Sequence, residues 1–200
     1  TALYDGMISG WISEHFGIEL AERALPVRKR QSLRYGENPH QTASFYEEVG
    51  SGGRSLARAR KIQGKPLSFN NLADLDGALR AAFEYKSPAA VVVKHMNPCG
   101  AATHEAGISD AFRLALSADP VSAYGGILAF NRPLEAEDVK TVFRARTFFE
   151  VLAAPGFSED ALQILAKREK LRVLDLPVDW ADSKPSGTDV RRIQGGWLLQ

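Results

Sequence analysis

The chain has one cysteine, Cys99, in 200 residues, so no internal disulfide framework can staple it and a reducing compartment is expected. No apolar run approaches the roughly 20 residues needed to span a bilayer, and the opening residues do not read as a secretory leader. The formal net charge of +1 gives no general reason to expect nucleic acid or an anionic membrane as partner. There is no Gly-x-Ser-x-Gly elbow, Walker A loop, dinucleotide fingerprint, internal repeat or low-complexity tract. A soluble cytoplasmic protein is the expectation. What is present is 44% hydrophobic residues, enough to bury a sizeable core as one domain or one and a half.

The chain opens at Thr1 inside an apparent amphipathic helix (Leu3, Tyr4, Met7, Ile8, Trp11, Ile12) and stops in the apolar run Trp197-Leu198-Leu199. Neither end resembles a natural terminus, so an excerpt from a longer polypeptide is expected. Pro26 to Gln31 reads as a basic connector and Ser44 to Glu48 as a short strand. Asn70 or Asn71 is expected to cap a helix with Asp74 and Asp76 in its first turn and a buried stripe of Leu72, Leu75, Leu79, Ala82 and Phe83. Strands follow at 89–93, Ile127–Phe130, Phe148–Ala153 and Leu171–Leu174. Helices are predicted near 109–117, from Leu134 to Arg144, and after a Ser158 cap. Residues 175–188 read as an exposed loop. Strand and helix alternate through the middle, which predicts a layered α/β/α sheet.

Four places could carry chemistry. Residues 88–100 run from β-branched apolar residues into Lys94 and His95, then into a turn with Asn97, Pro98 and Gly100. A cation and an imidazole at the carboxyl end of a buried strand suit an open α/β sheet where it binds ligand. The same pair also fits a snorkelling lysine beside a hydrogen-bonded histidine. For both side chains to serve one substrate, the backbone must leave β geometry there, since strand neighbours point to opposite faces. Convergence of the two heads at the strand end is expected.

Residues 33–41 place Arg34, Tyr35 and Gly36 before an Asn38-Pro39 turn that presents His40. Arg34 can grip a carboxylate or phosphate with two donors, or merely pair with a nearby acid. In 119–126, Tyr124 can stack on a planar ring and Gly125 and Gly126 permit unusual backbone, yet a plain tight turn accounts for them equally. Glu150 sits between Phe149 and Val151, where a carboxylate needs a partner, either a ligand donor or an arginine. Pro98-Cys99 fits one half of a zinc deaminase motif, but Ala102 stands where the second cysteine belongs and no His-x-Glu precedes it. His104-Glu105 lacks a further ligand, so no metal is expected in this segment. His15 reads as a helix-surface residue and Cys99 as a packing residue.

Arg34-Tyr-Gly-Glu-Asn-Pro-His-Gln41, Phe69-Asn-Asn-Leu72, Lys94-His-Met-Asn-Pro-Cys-Gly100, Ser122-Ala-Tyr-Gly-Gly126 and Asp189-Val-Arg-Arg-Ile-Gln-Gly-Gly196 occur in one order. Together they resemble the family of bifunctional purine biosynthesis proteins that combine AICAR transformylase with IMP cyclohydrolase. The resemblance spans nearly the whole chain. It implies that residues 1–32 are a linker helix and connector from the cyclohydrolase part and that 33–200 begin the transformylase region. It further implies a cytidine-deaminase-like fold without zinc, and formyl transfer from 10-formyltetrahydrofolate to the 5-amino group of AICAR. His95 matches the catalytic base and Lys94 the lysine that stabilises the oxyanion and the leaving folate nitrogen, with His40 a further catalytic candidate. Arg34, Tyr35, Gly125 and Glu150 match AICAR-binding positions, and Tyr124 the place of an aromatic near the folate.

Glu150 stands where some relatives have Asp, which alters its reach. The remaining folate contacts, an asparagine near the carboxamide and a monovalent cation site fall beyond Gln200, and the cyclohydrolase machinery before Thr1. Homodimers are implied for the full protein, and no turnover is expected of these 200 residues alone. Two rival readings keep the same motifs: a noncatalytic phosphoribosyl-ligand binding module, and a dimerisation module.

Overall fold

A computed structural model of the chain describes residues 1–22, 24–50, 52–184 and 189–200. Helix α1 (Ala2–Phe16) ends on Gly17 and leads to an antiparallel pair, β1 (Val27–Ser32) and β2 (Ser44–Glu48). β3 (Arg60–Gln63), α2 (Phe69–Ala82), β4 (Ala89–Lys94) and β5 (Asn97–Thr103) follow. Next come α3 (Ile108–Ala118), β6 (Gly126–Phe130), α4 (Ala136–Arg144), β7 (Phe149–Ala154), α5 (Glu159–Leu165) and β8 (Arg172–Asp175). A terminal hairpin joins β9 (Val190–Ile193) to β10 (Gly196–Leu199).

Six strands form the central mixed sheet in the order β3-β8-β7-β6-β4-β5. β6, β7 and β8 are parallel, whereas β4 runs against β6, β5 against β4, and β3 against β8. The near-continuous apolar runs of β4, β6 and β7 are buried on both faces, as strands covered by helices on each side must be. Alternation divides them between two cores. Ala90, Val92, Leu128, Phe130 and Leu152 pack with Phe112 and Ala115 of α3, Val139 of α4 and Leu165 of α5. Val91, Val93, Ile127, Ala129 and Val151 pack with Leu75, Ala78, Leu79 and Ala82 of α2. The sheet is therefore sandwiched between helical layers, as the alternation of elements predicts.

Several local expectations change. The segment after Lys94 is a strand, not only a turn: β5 pairs with β4 from Asn97 to Thr103, with a bulge that accommodates Pro98 on this edge strand. The basic connector is itself β1, stabilised by pairing with β2 although every residue of it is exposed. The cap of α2 is Ser68, whose hydroxyl accepts from the Asn71 amide while Asn71 returns a bond to the Ser68 amide. α1 forms, but its apolar side chains are not buried, with Tyr4 67% and Trp11 58% exposed. Within 175–188, Leu176 and Trp180 are buried in the core on the α2 side, and residues 185–188 lie outside the described residues.

Candidate active site

β4 and β5 are joined by the two residues His95 and Met96, with Lys94 and Asn97 paired across the turn. Both turn residues are left-handed, His95 at φ 54° and Met96 at φ 61°. That is the twist a two-residue hairpin requires, usually met by Asn-Gly. For residues with a Cβ it costs about 1–2 kcal/mol each, so something must hold it. The Asp74 carboxylate does so: Oδ1 accepts from the Met96 amide at 2.7 Å and Oδ2 from the His95 amide at 3.3 Å. Asn97 Nδ2 donates to the His95 carbonyl at 3.0 Å. The backbone thus leaves β geometry at His95, as expected. The imidazole is exposed, with no hydrogen-bond partner among the described residues.

Lys94 is half-buried, and its ammonium donates to the Tyr124 carbonyl at 2.9 Å. This bond ties the hairpin to the turn between α3 and β6. That turn is fixed by Asp119, which accepts from the Ser122 amide at 2.9 Å; hydrogen bonding to Ser122 holds the Asp119 carboxyl below its ordinary range. Gly125 is left-handed (φ 80°), gives its amide to the Phe148 carbonyl at 2.7 Å, and has open space where a Cβ would stand. The Tyr124 ring is exposed and lies 5.7 Å from Phe148.

A bulge at the start of β7 opposes Gly126 to Phe149 and Ile127 to Val151, leaving Glu150 outside the register. Bulges re-aim side chains. Here Glu150 Oε2 accepts from Asn71 Nδ2 of α2 at 3.0 Å and from Arg172 Nη1 at 3.2 Å. Of the two partners open to Glu150, the structure contains the arginine. Arg172 also donates from Nε to the Pro66 carbonyl, so this buried guanidinium is both paired and hydrogen-bonded. Arg172 escapes the sequence reading. Its signal is a second charge inside an apolar strand, and β7 and β8 are neighbours with Val151 opposite Arg172.

The loop with Arg34 and His40 closes on itself, the Gly36 amide donating to the Gln41 carbonyl at 2.9 Å, and docks on α2 through Asn70 Nδ2 to the Glu37 carbonyl at 3.2 Å. Arg34 lies over its neighbour Tyr35, 5.3 Å from the ring centre, and no carboxylate among the described residues pairs with it. His40 is exposed and has no partner among them. The first turns of α2 therefore touch three candidate clusters, through Asn70, Asn71 and Asp74. All three residues read in the sequence as ordinary helix-start residues. Lys94 and His95 do stand at the carboxyl end of their strand, but because β4 opposes β6 that end shares a rim with the amino ends of β6, β7 and β8.

Among the described residues no group of three or more His, Cys, Asp or Glu side chains could hold a metal ion. No described helix is long and apolar enough to cross a membrane. Burial pushes the Cys99 thiol up, which disfavours the reactive thiolate and suits a packing residue. His15 stacks on Trp11 at 4.6 Å on the surface of α1. A cleft of about 570 Å³ beside Phe143, Arg146 and Lys170 does not include Lys94, His95, Arg34 or Glu150. Arg34 and His95 are exposed, and Lys94 and Glu150 are half-buried.

The profile of the AICARFT/IMPCHase bienzyme family matches residues 1–200. The chain is 45% identical over its whole length to the bifunctional purine biosynthesis protein PurH of Halalkalibacterium halodurans, and 45% identical to that of Magnetococcus marinus. It covers 38% of each relative, so it spans about two fifths of their length. Among solved structures, RibD of Acinetobacter baumannii matches 55% of this chain and 35% of its own at a TM-score of 0.38 and 16% identity, too slight a likeness to bear on the fold.

Proposed function

This chain belongs to the AICARFT/IMPCHase bienzyme family, and we propose that the full-length protein carrying it transfers a formyl group from 10-formyltetrahydrofolate to the 5-amino group of AICAR, giving FAICAR. Residues 33–200 are the first portion of the transformylase region, with a cytidine-deaminase-like fold that needs no zinc. Residues 1–32 connect it to a cyclohydrolase part whose catalytic groups lie outside this segment. The protein works in the cytoplasm as a homodimer on small molecules.

The observation that carries this reading is the placement of Lys94 and His95 at one hairpin tip, with the lysine tied to the turn that bears Tyr124 and Gly125. The AICAR amine is a weak nucleophile because its lone pair is drawn into the ring and carboxamide. It needs a base as it attacks the formyl carbon, and His95, unencumbered at the tip, is placed to accept that proton. Carbon–nitrogen bond formation puts negative charge on the formyl oxygen. An ammonium has three donors. One of those on Lys94 is held by the Tyr124 carbonyl, and the others, with no partner among the described residues, can meet that oxygen and then the folate nitrogen as its bond to carbon breaks.

Arg34, which has no acid partner among the described residues, is suited to the phosphate of AICAR, with Tyr35 beside it. Glu150, oriented by Asn71 and Arg172, offers acceptor oxygens to the ribose or ring, and the bare backbone at Gly125 allows close approach. His40 is a further catalytic group presented by the 36–41 turn. Tyr124 stacks on the folate ring. Replacing His95 by Ala in the full-length protein is expected to lower turnover by roughly 10²–10⁴ while AICAR still binds by calorimetry. Retained turnover in both His95→Ala and Lys94→Ala would end this reading.

A further inference from the structure

We infer that Asp74 is a positioning residue that fixes the direction in which the His95 side chain leaves the backbone by holding the amides of a left-handed turn. The inference rests on the reading of His95 as the proton acceptor.

His95 and Met96 occupy the two positions of a hairpin turn in which φ is positive at both, and neither is glycine. Such a turn does not persist in His-Met on local preference. Its polar groups are met from outside the turn. Both oxygens of one carboxylate take its two amides, at 2.7 and 3.3 Å, and Asn97 Nδ2 reaches the His95 carbonyl at 3.0 Å. Hydrogen bonds to an ionised acceptor are the stronger kind. With its amide and its carbonyl both fixed, the Cα–Cβ bond of His95 has a set direction, although its ring has no partner among the described residues.

Among the described residues the carboxylate makes no other hydrogen bond or ion pair. The start of α2 is already capped by Ser68 and Asn71, and the nearby Asp76 is the one paired with Arg80. Leu75 and Leu79, buried against the sheet, lock the helix that carries Asp74. The side chain therefore transmits the rigidity of a packed helix to an otherwise exposed turn. It makes no contact that requires it to touch substrate, so its effect should appear in the rate of the chemical step and not in AICAR binding.

In the full-length protein, Asp74→Ala should lower kcat roughly a hundredfold, the scale set by misplacing a catalytic group by about 1 Å, with KM for AICAR changed less than about twofold. Adding Met96→Gly should restore at least about tenfold of that loss, because glycine takes the left-handed conformation without strain. A role in stability alone would lower the thermal midpoint and would not give a kcat loss that a glycine in the turn relieves. Should Asp74→Ala fail to fold, Asp74→Asn, which keeps one acceptor oxygen, is read in the same way with a smaller loss. The inference is overturned if kcat stays within about twofold of wild type, or if the loss falls on KM and Met96→Gly does nothing. His95→Ala separates the two readings: no loss there ends the functional reading, whereas loss there with none at Asp74 ends only this inference.

Discussion

On one face of the sheet, α3, α4 and α5 meet the strands through Phe112, Ala115, Val139 and Leu165. On the other, α2 meets them through Leu75, Ala78, Leu79 and Ala82, and its first turns also reach past the strand ends to Glu37, Glu150 and the His95 turn. The three-helix face is a packing surface. The α2 face divides its labour along one helix: the carboxyl half packs, and the amino half anchors polar segments that cannot anchor themselves. A helix that is buried and capped at its start is stiff there, which is what a set of exposed loops needs as a reference. Substitutions on the two faces should therefore fail in different ways, one through stability and the other through rate.

The largest contrast is expected from His95→Ala, which should cost roughly 10²–10⁴ in kcat of the full-length protein with an unchanged denaturation midpoint. A large loss of stability instead would erase the distinction. Next is Gly100→Ala. A Cβ there would lie 2.0 Å from the Ala115 carbonyl oxygen, so α3 would have to move off β5. Chemical denaturation should show a loss of about 3 kcal/mol or more, with kcat per folded molecule retained.

Arg172→Ala is intermediate in size and in kind. It removes a buried guanidinium and releases Glu150, whose own side chain is 40% exposed and so is partly resolvated. A loss of about 2 kcal/mol is expected, together with a raised KM for AICAR; an unchanged KM would place Glu150 outside the binding surface. The smallest effect belongs to Asp119→Asn. The Asp119 carboxyl is held low by hydrogen bonds from Ser122, so its contribution is present above the unfolded-state pKa and fades as pH falls through the folded one. The Asn variant should show a slightly flatter decline of stability on the acid side, measured by urea titration between about pH 5 and 2. A steeper decline would contradict the assignment.

The strands 89–93 and 127–130 and the Ser158 cap are legible because each combines period, apolar content and a stop residue in one short stretch. β5 is not, since Asn-Pro-Cys-Gly-Ala-Ala-Thr carries turn formers and little strand propensity; it becomes a strand because β4 offers it an edge and α3 fits over Gly100. β1 is hidden by its charge, being a strand only by virtue of β2. In the site, Lys94, His95 and Glu150 stand out as ionisable groups in apolar surroundings. Asp74 and Asn71 do not, because a polar residue at a helix start has a sufficient local explanation. Their second partners are more than twenty residues away and enter only through the fold.

β3 has a single neighbour in the central sheet, β8, and the Arg60–Asp175 ion pair that clasps them joins residues 115 positions apart. A nascent chain elongating at about 5–20 residues per second would expose β3 for roughly ten seconds before its mate emerged. During that interval Pro66 has no guanidinium to accept, and the segment leading into α2 is untethered on one side. Assembly of the rim would then be the last act of this region's folding, and slowing translation between β3 and β8 should lengthen the chaperone-dependent period, whereas slowing it before Arg60 should not.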